Sequence, residues 1–363
     1  MDFITQIDLN VDKKSWMDNL KRIGSSTTYQ IPSWLEIYKN SFNSIPLYIT
    51  VKNLNHEVVG QLACIIHNDY VWRHSNTVSK FLSKKLNLGC ILNWSYGPII
   101  HEKYDKNLIL YEILAAVDEI ISKNNIILVQ GSSSPFDKFN LNIFENFGYL
   151  EKKWSTYVLD LTKLDSDLLS NFNKKIRYDV KQAKKMNLQF EVVSDKKQYV
   201  EFAKFAVTTK NFTDKSRKWN PIFYDNYWNL ASKSGSHQGF LVRHENEIIG
   251  TIDTLNFNGN VVQTGVVNSP KREFNAGTFL TFKTIEWLTQ HKQNIFDFGG
   301  ANPNTTNEKE KQIDFYKSKW GGIKKEYYIY SKVIDSTKLN LISFMKTPTR
   351  ITKKILKKSI SMK

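Results

Sequence analysis

Apolar positions in this chain recur at two periods, and the two periods alternate. Between residues 108 and 121 the spacing of Leu108, Tyr111, Leu114, Ala115, Val117 and Ile121 is helical, which predicts a helix presenting those side chains to a core. The run 126–130 that follows is short, apolar and closed by Gly131, as a buried strand would be. Earlier, segments 58–66 and 70–73 flank the polar triplet His67-Asn68-Asp69 and predict a hairpin. Residues 27–40 read as a turn followed by an amphipathic helix bearing Trp34, Ile37 and Tyr38. Residues 80–85 form a basic loop or short helix, and Ser95-Tyr96-Gly97-Pro98 a turn leading out of a strand.

The same order returns in the second half. Glu57-Val58-Val59-Gly60 is echoed by Glu247-Ile248-Ile249-Gly250, each at the opening of a hairpin, and the second hairpin turns at Asn258-Gly259, a type I′ signal. Segment 108–121 is echoed by 279–289, with Phe279, Phe282, Ile285, Glu286 and Leu288 in helical register. Strand 125–131 is echoed by 294–300, and Phe147-Gly148-Tyr149 by Trp320-Gly321-Gly322. The strand-like stretch 157–159 is likewise echoed by 327–330. Hairpin, helix, strand, loop and strand, twice over, predict an α/β chain of two duplicated units. The expected divisions are 1–155, 156–338 and a basic amphipathic tail, 339–363. The copies differ chemically. The second has Asp297 where the first has Val129, and Tyr316-Lys317 before Gly-Gly where the first has Asn146-Phe147 before one glycine. The second is therefore the expected working copy.

Composition narrows the partner. The 363 residues suffice for two cores, and 51 Lys and Arg against 35 Asp and Glu give a net charge of +16. Such a charge favours an anionic partner: RNA, a nucleotide-linked substrate or a membrane surface. Cys64 and Cys90 make no disulfide framework, Cys64 lies in the apolar run QLACII, and the seven histidines are too scattered for a metal site. No apolar stretch approaches the ~20 residues that span a bilayer, and the opening residues carry no signal-peptide pattern, so the expected location is the cytoplasm. The tail, with seven basic residues from Lys346 onward among Phe344, Ile351, Ile355 and Leu356, is suited to lie on the anionic inner face of a membrane.

The candidate chemistry gathers in 295–322, IFDFGGANPNTTNEKEKQIDFYKSKWGG. A short apolar strand holding one carboxylate, Asp297, runs into Gly299-Gly300. A polar loop follows, then a short segment with Phe315, Tyr316, Lys317 and Lys319, closed by Gly321-Gly322. A glycine-punctuated loop beside an aromatic–lysine pair suits a phosphate against an aromatic wall, although a lysine on a short helix ordinarily faces water. The turn D-F-G-G, a loop and then aromatic-Lys-x-x-aromatic-Gly-Gly resemble the C-terminal signature of the Fem-type aminoacyltransferases of the GNAT superfamily. Upstream, NKKIRYDVKQAKKMNL (173–188) is similar to a basic, Arg-containing family segment, with Asn187 where glycine is usual.

The resemblance implies two GNAT-like domains side by side, a mixed sheet flanked by helices. It implies transfer of an aminoacyl group from aminoacyl-tRNA, with no bound cofactor, to an amine of a nucleotide- or lipid-linked peptidoglycan precursor. Carried over residue by residue, it makes Lys317 a catalytic or phosphate-binding lysine, Tyr316 the aromatic wall and Arg177 the contact to the acceptor's diphosphate. Lys39 lies one step beyond the family's substrate-binding lysine. The helical arm that some Fem proteins insert in this region is absent here. An ester donor is already activated, so the protein need only align the amine, help remove its proton and stabilise the oxyanion. Asp297, Asp253 and Asp314 are the carboxylates in reach of the expected cleft; Asp297 has a second role open to it, as the cap of the Gly-Gly turn.

Two rival readings stand beside this one. The loop SPKREFNAGTFL (269–280), with Arg272 and Gly277, occupies the place of a GNAT acyl-CoA pyrophosphate loop but lacks its two-glycine spacing. The chain would then be an acyl-CoA-dependent N-acyltransferase acting on an amino sugar of an envelope polysaccharide. The third reading is a non-catalytic RNA-binding protein using the basic face of Lys174, Lys175, Lys181, Lys184 and Lys185. Ser132-Ser133-Ser134 has no nearby histidine to activate it and reads as a loop.

Overall fold

The computed structural model of the protein describes residues 3–23, 27–67, 87–211, 219–269 and 275–346. The first half begins β1 (Ile4–Asp8), α1 (Lys13–Ile23), α2 (Pro32–Phe42), β2 (Ile45–Lys52) and β3 (Val58–His67). It continues β4 (Cys90–Asn93), β5 (Ile99–Ile100), α3 (Lys106–Lys123), β6 (Ile126–Ser132), α4 (Leu141–Asn146) and β7 (Leu150–Asp160). The second half begins α5 (Lys174–Ala183), β8 (Gln189–Val192), α6 (Lys196–Asn211), α7 (Pro221–Tyr227) and β9 (His237–His244). It continues β10 (Glu247–Phe257), β11 (Asn260–Asn268), α8 (Ala276–Gln290), β12 (Ile295–Asp297), α9 (Glu308–Ser318), β13 (Ile323–Val333) and α10 (Ser336–Lys346). The duplicated order of the sequence is thus realised as a mixed α/β fold.

The thirteen strands among the described residues share one sheet, ordered β1-β2-β3-β4-β6-β13-β7-β12-β11-β10-β9-β8, with β5 on β3. The centre of that order is an exchange. β13, the last strand of the second half, pairs with β6 of the first, while β7, the last of the first half, pairs with β12 of the second. β7 and β13 also pair with each other, from Ile323↔Val158 to Ser331↔Leu150. The division expected between residues 155 and 156 falls inside β7, midway along this shared ladder.

Helices cover both faces. α3 packs its Ile109, Leu110, Ile113, Leu114, Val117 and Ile120 on the first half of the sheet. α8 packs Phe279, Leu280, Phe282, Ile285 and Leu288 on the second, and these include the apolar positions read from the sequence. For α3 the expected stripe is corrected: Leu108 and Tyr111 are 47% and 57% exposed. This helix is apolar on more than one side, so periodicity admitted two neighbouring stripes. The sheet and the N-cap, where Asp105 accepts from the Asn107 and Leu108 N–H groups, set the rotation.

On the other face α2 of the first half meets α7 of the second. Trp34 packs edge-on against Tyr227 and Phe42 against Phe223, and Asn226 donates to Ser41. The Asn258-Gly259 turn has φ of 53° and 79°, the type I′ pattern. Cys64 is buried, and burial pushes its thiol up to about 12, so it is inert core. The second strand of the expected hairpin (70–73), the basic segment 80–85 and the tail from 347 lie outside the described residues. The serine run is structural: β6 extends through Ser132, and the Ser133 hydroxyl accepts from the Tyr328 N–H.

The exchanged strand is held to the first half by side chains as well. Phe144 of α4 is fully buried and stacks on Tyr330 of β13 at 3.6 Å between ring centroids. Phe144→Ala is expected to cost about 3–5 kcal/mol of stability, as other buried Phe truncations do. Urea denaturation should show this as a lower midpoint with an unchanged slope.

Candidate active site

The site is built where two neighbouring strands part. β11 and β12 run parallel through Asn260↔Ile295, Val261↔Phe296 and Val262↔Asp297, and there their ladder ends. The chain after β12 stays with β7: the Phe298 N–H donates to the Tyr157 carbonyl, and Ser155 and Ala301 exchange both backbone bonds. β11 turns the other way at a β-bulge, because Asp253 pairs with Gly265 and Thr254 with Gln263, leaving Thr264 over. A wedge opens between them. Its cavity of about 280 Å³ lies between Gln263 and Thr264 on one side and Gly299 and Gly300 on the other, with Tyr29, Tyr96 and Tyr327 as walls.

Asp297 sits at the root of the wedge and is fully buried. Its Oδ1 accepts from the Gly299 N–H at 2.8 Å and from the Thr156 hydroxyl, and its Oδ2 from the Tyr96 hydroxyl at 3.4 Å. The Oδ1–Gly299 bond is the cap on the Gly-Gly turn that the sequence allowed, and it shapes one wall of the cavity. Burial raises the Asp297 pKa, against the lowering effect of those donors and of Lys317. Gly299 itself has φ +74°, and an added Cβ would lie 2.6 Å from the Gln263 carbonyl oxygen, so the turn needs glycine on two counts.

Lys317 comes to the same turn from α9. It is only 8% exposed, and its ammonium donates to the Gly299 carbonyl at 2.7 Å and the Gly300 carbonyl at 3.1 Å. Burial lowers its pKa, partly offset by Asp297 and Asp314. One of its three N–H groups has no partner among the described residues. Asp297 and Lys317, twenty residues apart in sequence, are thereby coupled through one pair of glycines.

The remaining expected residues are placed differently. Tyr316 is half-buried against Trp320, and its hydroxyl reaches the second turn of α8 at Thr281 Oγ1, 3.3 Å away. It fastens α9 to α8 and does not line the wedge cavity. Arg177 is half-buried on α5, which begins beside α9 through the Asn173 N–H to Lys319 carbonyl bond. Its guanidinium touches neither Asp297 nor Lys317. The neighbouring Lys174, Lys181, Lys184 and Lys185 are solvated. Lys39 is exposed at a small hollow with Lys13 and Glu36, away from the wedge. Arg272 lies outside the described residues. Asp314 binds Lys324 and the Tyr157 hydroxyl near the surface.

Sequence reasoning missed the tyrosines. Burial, and after it the charge of Asp297, pushes the hydroxyls of Tyr29, Tyr96 and Tyr327 above their ordinary value. Tyr96 also holds φ at +48°, a left-handed conformation unusual for a bulky residue, fixed by its N–H on Ser132 Oγ. Its place beside Gly97-Pro98 marked a turn in the sequence, and nothing there placed its ring next to Asp297.

No family model matches the sequence, and no curated protein matches it. Solved structures do match. FemX shares the fold with a TM-score of 0.69 at 14% identity, over 94% of this chain and 100% of its own. A tandem GNAT protein from the clavulanic acid biosynthesis pathway matches at 0.57 and 10% identity, over 92% and 98% of the two chains. L-PGS from Bacillus licheniformis matches at 0.54 and 12%, over 92% and 96%. The fold is therefore the one shared with FemX and with that tandem GNAT protein, with the two halves joined through one sheet.

Asp297→Ala would take the acceptor from the buried Tyr96 hydroxyl and the Gly299 N–H, whereas the Thr156 hydroxyl keeps the Gly299 carbonyl at 3.0 Å; the change is expected to cost about 1–3 kcal/mol. Asp297→Asn keeps an acceptor and should cost less. The raised pKa means that the folded state binds the Asp297 proton more tightly than the unfolded chain does. Its contribution to stability is full below the ordinary carboxylate value and lost as pH rises through the raised one. The stability of the native protein relative to Asp297→Asn should therefore fall with rising pH across that window, as measured by urea unfolding in a pH series.

Proposed function

We propose that the protein is a GNAT-fold transferase that moves an aminoacyl group from aminoacyl-tRNA to an amine of a peptidoglycan precursor, a UDP- or lipid-linked muramyl peptide. The observation that carries this reading is the Asp297–Gly299-Gly300–Lys317 unit at the root of a wedge, in a fold superposable on the whole of FemX. The net charge of +16 suits both a tRNA and a diphosphate-bearing acceptor.

The reaction needs an amine nitrogen, an ester carbonyl and a path for one proton. The neutral amine attacks the ester carbon; the C–N bond forms and the bond from that carbon to the tRNA ribose oxygen breaks. The amine's proton passes to the Tyr96 oxygen as Tyr96 gives its own to Asp297, whose raised pKa equips it to accept. The leaving ribose oxygen takes the proton back. Lys317 does not line the cavity, and its charge, held behind the turn on the Gly299 and Gly300 carbonyls, stabilises the developing oxyanion across that turn. Arg177, at the start of α5, would take a phosphate of the acceptor from the rim. The basic tail would bring a lipid-linked acceptor within reach.

An acyl-CoA donor is the second reading, and one observation favours it. Beyond Val262 the β12 side of β11 loses its ladder, and an extended acyl-pantetheine chain can pair with such an edge.

Offered charged tRNA or acetyl-CoA with a UDP-muramyl peptide, the protein should bind tRNA in a salt-sensitive manner and transfer only the aminoacyl group. Saturable CoA binding with no response to tRNA would move it to the acyl-CoA class. Lys317→Ala is expected to lower turnover by about 10²–10³-fold with the fold retained on circular dichroism. RNA binding with no turnover in the native protein would sink both enzymatic readings.

A further inference from the structure

A second cavity opens beside the wedge. It measures about 210 Å³ and is walled by Trp34 of α2, Tyr199 of α6 and Phe223, Tyr224 and Tyr227 of α7. Its floor is the β10–β11 bulge, so Thr264 lines both this cavity and the wedge. In a chain with 51 lysines and arginines, no lysine or arginine among the described residues lines it; the only charged lining group among those residues is Asp253. That volume is below the range for a whole drug-sized ligand and suits one arm of a larger molecule.

Asp253 is fixed on both carboxylate oxygens. Its Oδ1 meets Nε2 of the buried His237 at 2.5 Å, and the other ring nitrogen of that histidine meets Ser232 Oγ at 2.7 Å. Its Oδ2 accepts from the Thr264 hydroxyl at 2.9 Å. Two oxygens so oriented still have lone pairs to offer, and the side chain remains one-third exposed. Aromatic faces around a fixed carboxylate attract an organic cation, through the ring quadrupoles and the charge together.

We propose that this cavity binds the primary ammonium group of a substrate and sets it beside the wedge. The inference deepens the transferase reading and rests on it for the chemistry served. An ammonium reaches such a site from either substrate: the α-amine of the aminoacyl donor, or the side-chain amine of the acceptor before it loses its proton.

The test is binding to the full-length protein, read by tryptophan fluorescence and calorimetry, with three probes. Alaninamide carries an α-ammonium beside a carbonyl, Nα-acetyl-lysinamide carries only the ε-ammonium, and N-acetylalaninamide is the neutral control. Saturable binding of an ammonium probe, at least tenfold tighter than the control and at least tenfold weaker in Asp253→Asn, supports the proposal. Preference for alaninamide assigns the cavity to the donor, and preference for Nα-acetyl-lysinamide to the acceptor. Equal affinity for the neutral control, no ammonium binding up to the solubility limit, or native affinity in a folded Asp253→Asn overturns it. Should that variant not fold, Phe223→Leu decides. It keeps apolar volume while removing a ring face, so about threefold weaker binding supports the proposal and no change overturns it. These probes need no donor and no turnover. Failure here leaves the tRNA reading standing, and an acyl-CoA enzyme would fail the tRNA test while still binding amines.

Discussion

The pairing of β7 with β13 is the constraint on which the rest depends. Each is the last strand of its own half, and each lies next to the strand that ends the other half's ladder, β6 or β12. Neither unit can complete its sheet alone, so the two cores are tied into one ladder. That ladder also brings Tyr96, at the end of a first-half strand, and Thr156, on β7, against Asp297 of β12. A carboxylate buried among sheet residues would be costly without donors, and two of its three come from outside its own unit. The exchange of strands therefore stabilises the charge as well as the fold.

The two units have diverged around that exchange. In the first, the Trp94 ring lies directly over Gly131 near the end of β6, so indole occupies the space beside that glycine. The first unit contributes walls, Tyr29, Trp34 and Tyr96, to cavities whose chemistry comes from the second.

Charge is distributed in the opposite sense to its total. Most lysines of α5 are solvated, whereas the two central cavities are lined largely by aromatic and neutral residues, with Asp253 the one carboxylate among the described lining residues. A net charge of +16 favours polyanions at the surface, and under the proposed reading the aromatic cavity around Asp253 favours a cationic group.

Much of this was legible in the sequence. The double α/β order, the Asn258-Gly259 turn, the apolar face of α8 and the special position of Asp297 and Lys317 all follow from local periodicity, turn chemistry and comparison of the two copies. These are properties of neighbours along the chain, which is what sequence reports. The rotation of α3 was not legible, because an apolar-rich helix offers more than one stripe and only the sheet selects between them. Nor were Tyr96, Thr156 or the Ser232–His237–Asp253 chain, whose members look ordinary until non-adjacent strands set them side by side. The sequence by itself determined two α/β repeats and a glycine turn between a carboxylate and a lysine. Only the tertiary structure decided that the last strands change places and that β11 and β12 part where Thr264 bulges, since cross-strand register depends on packing of the whole sheet.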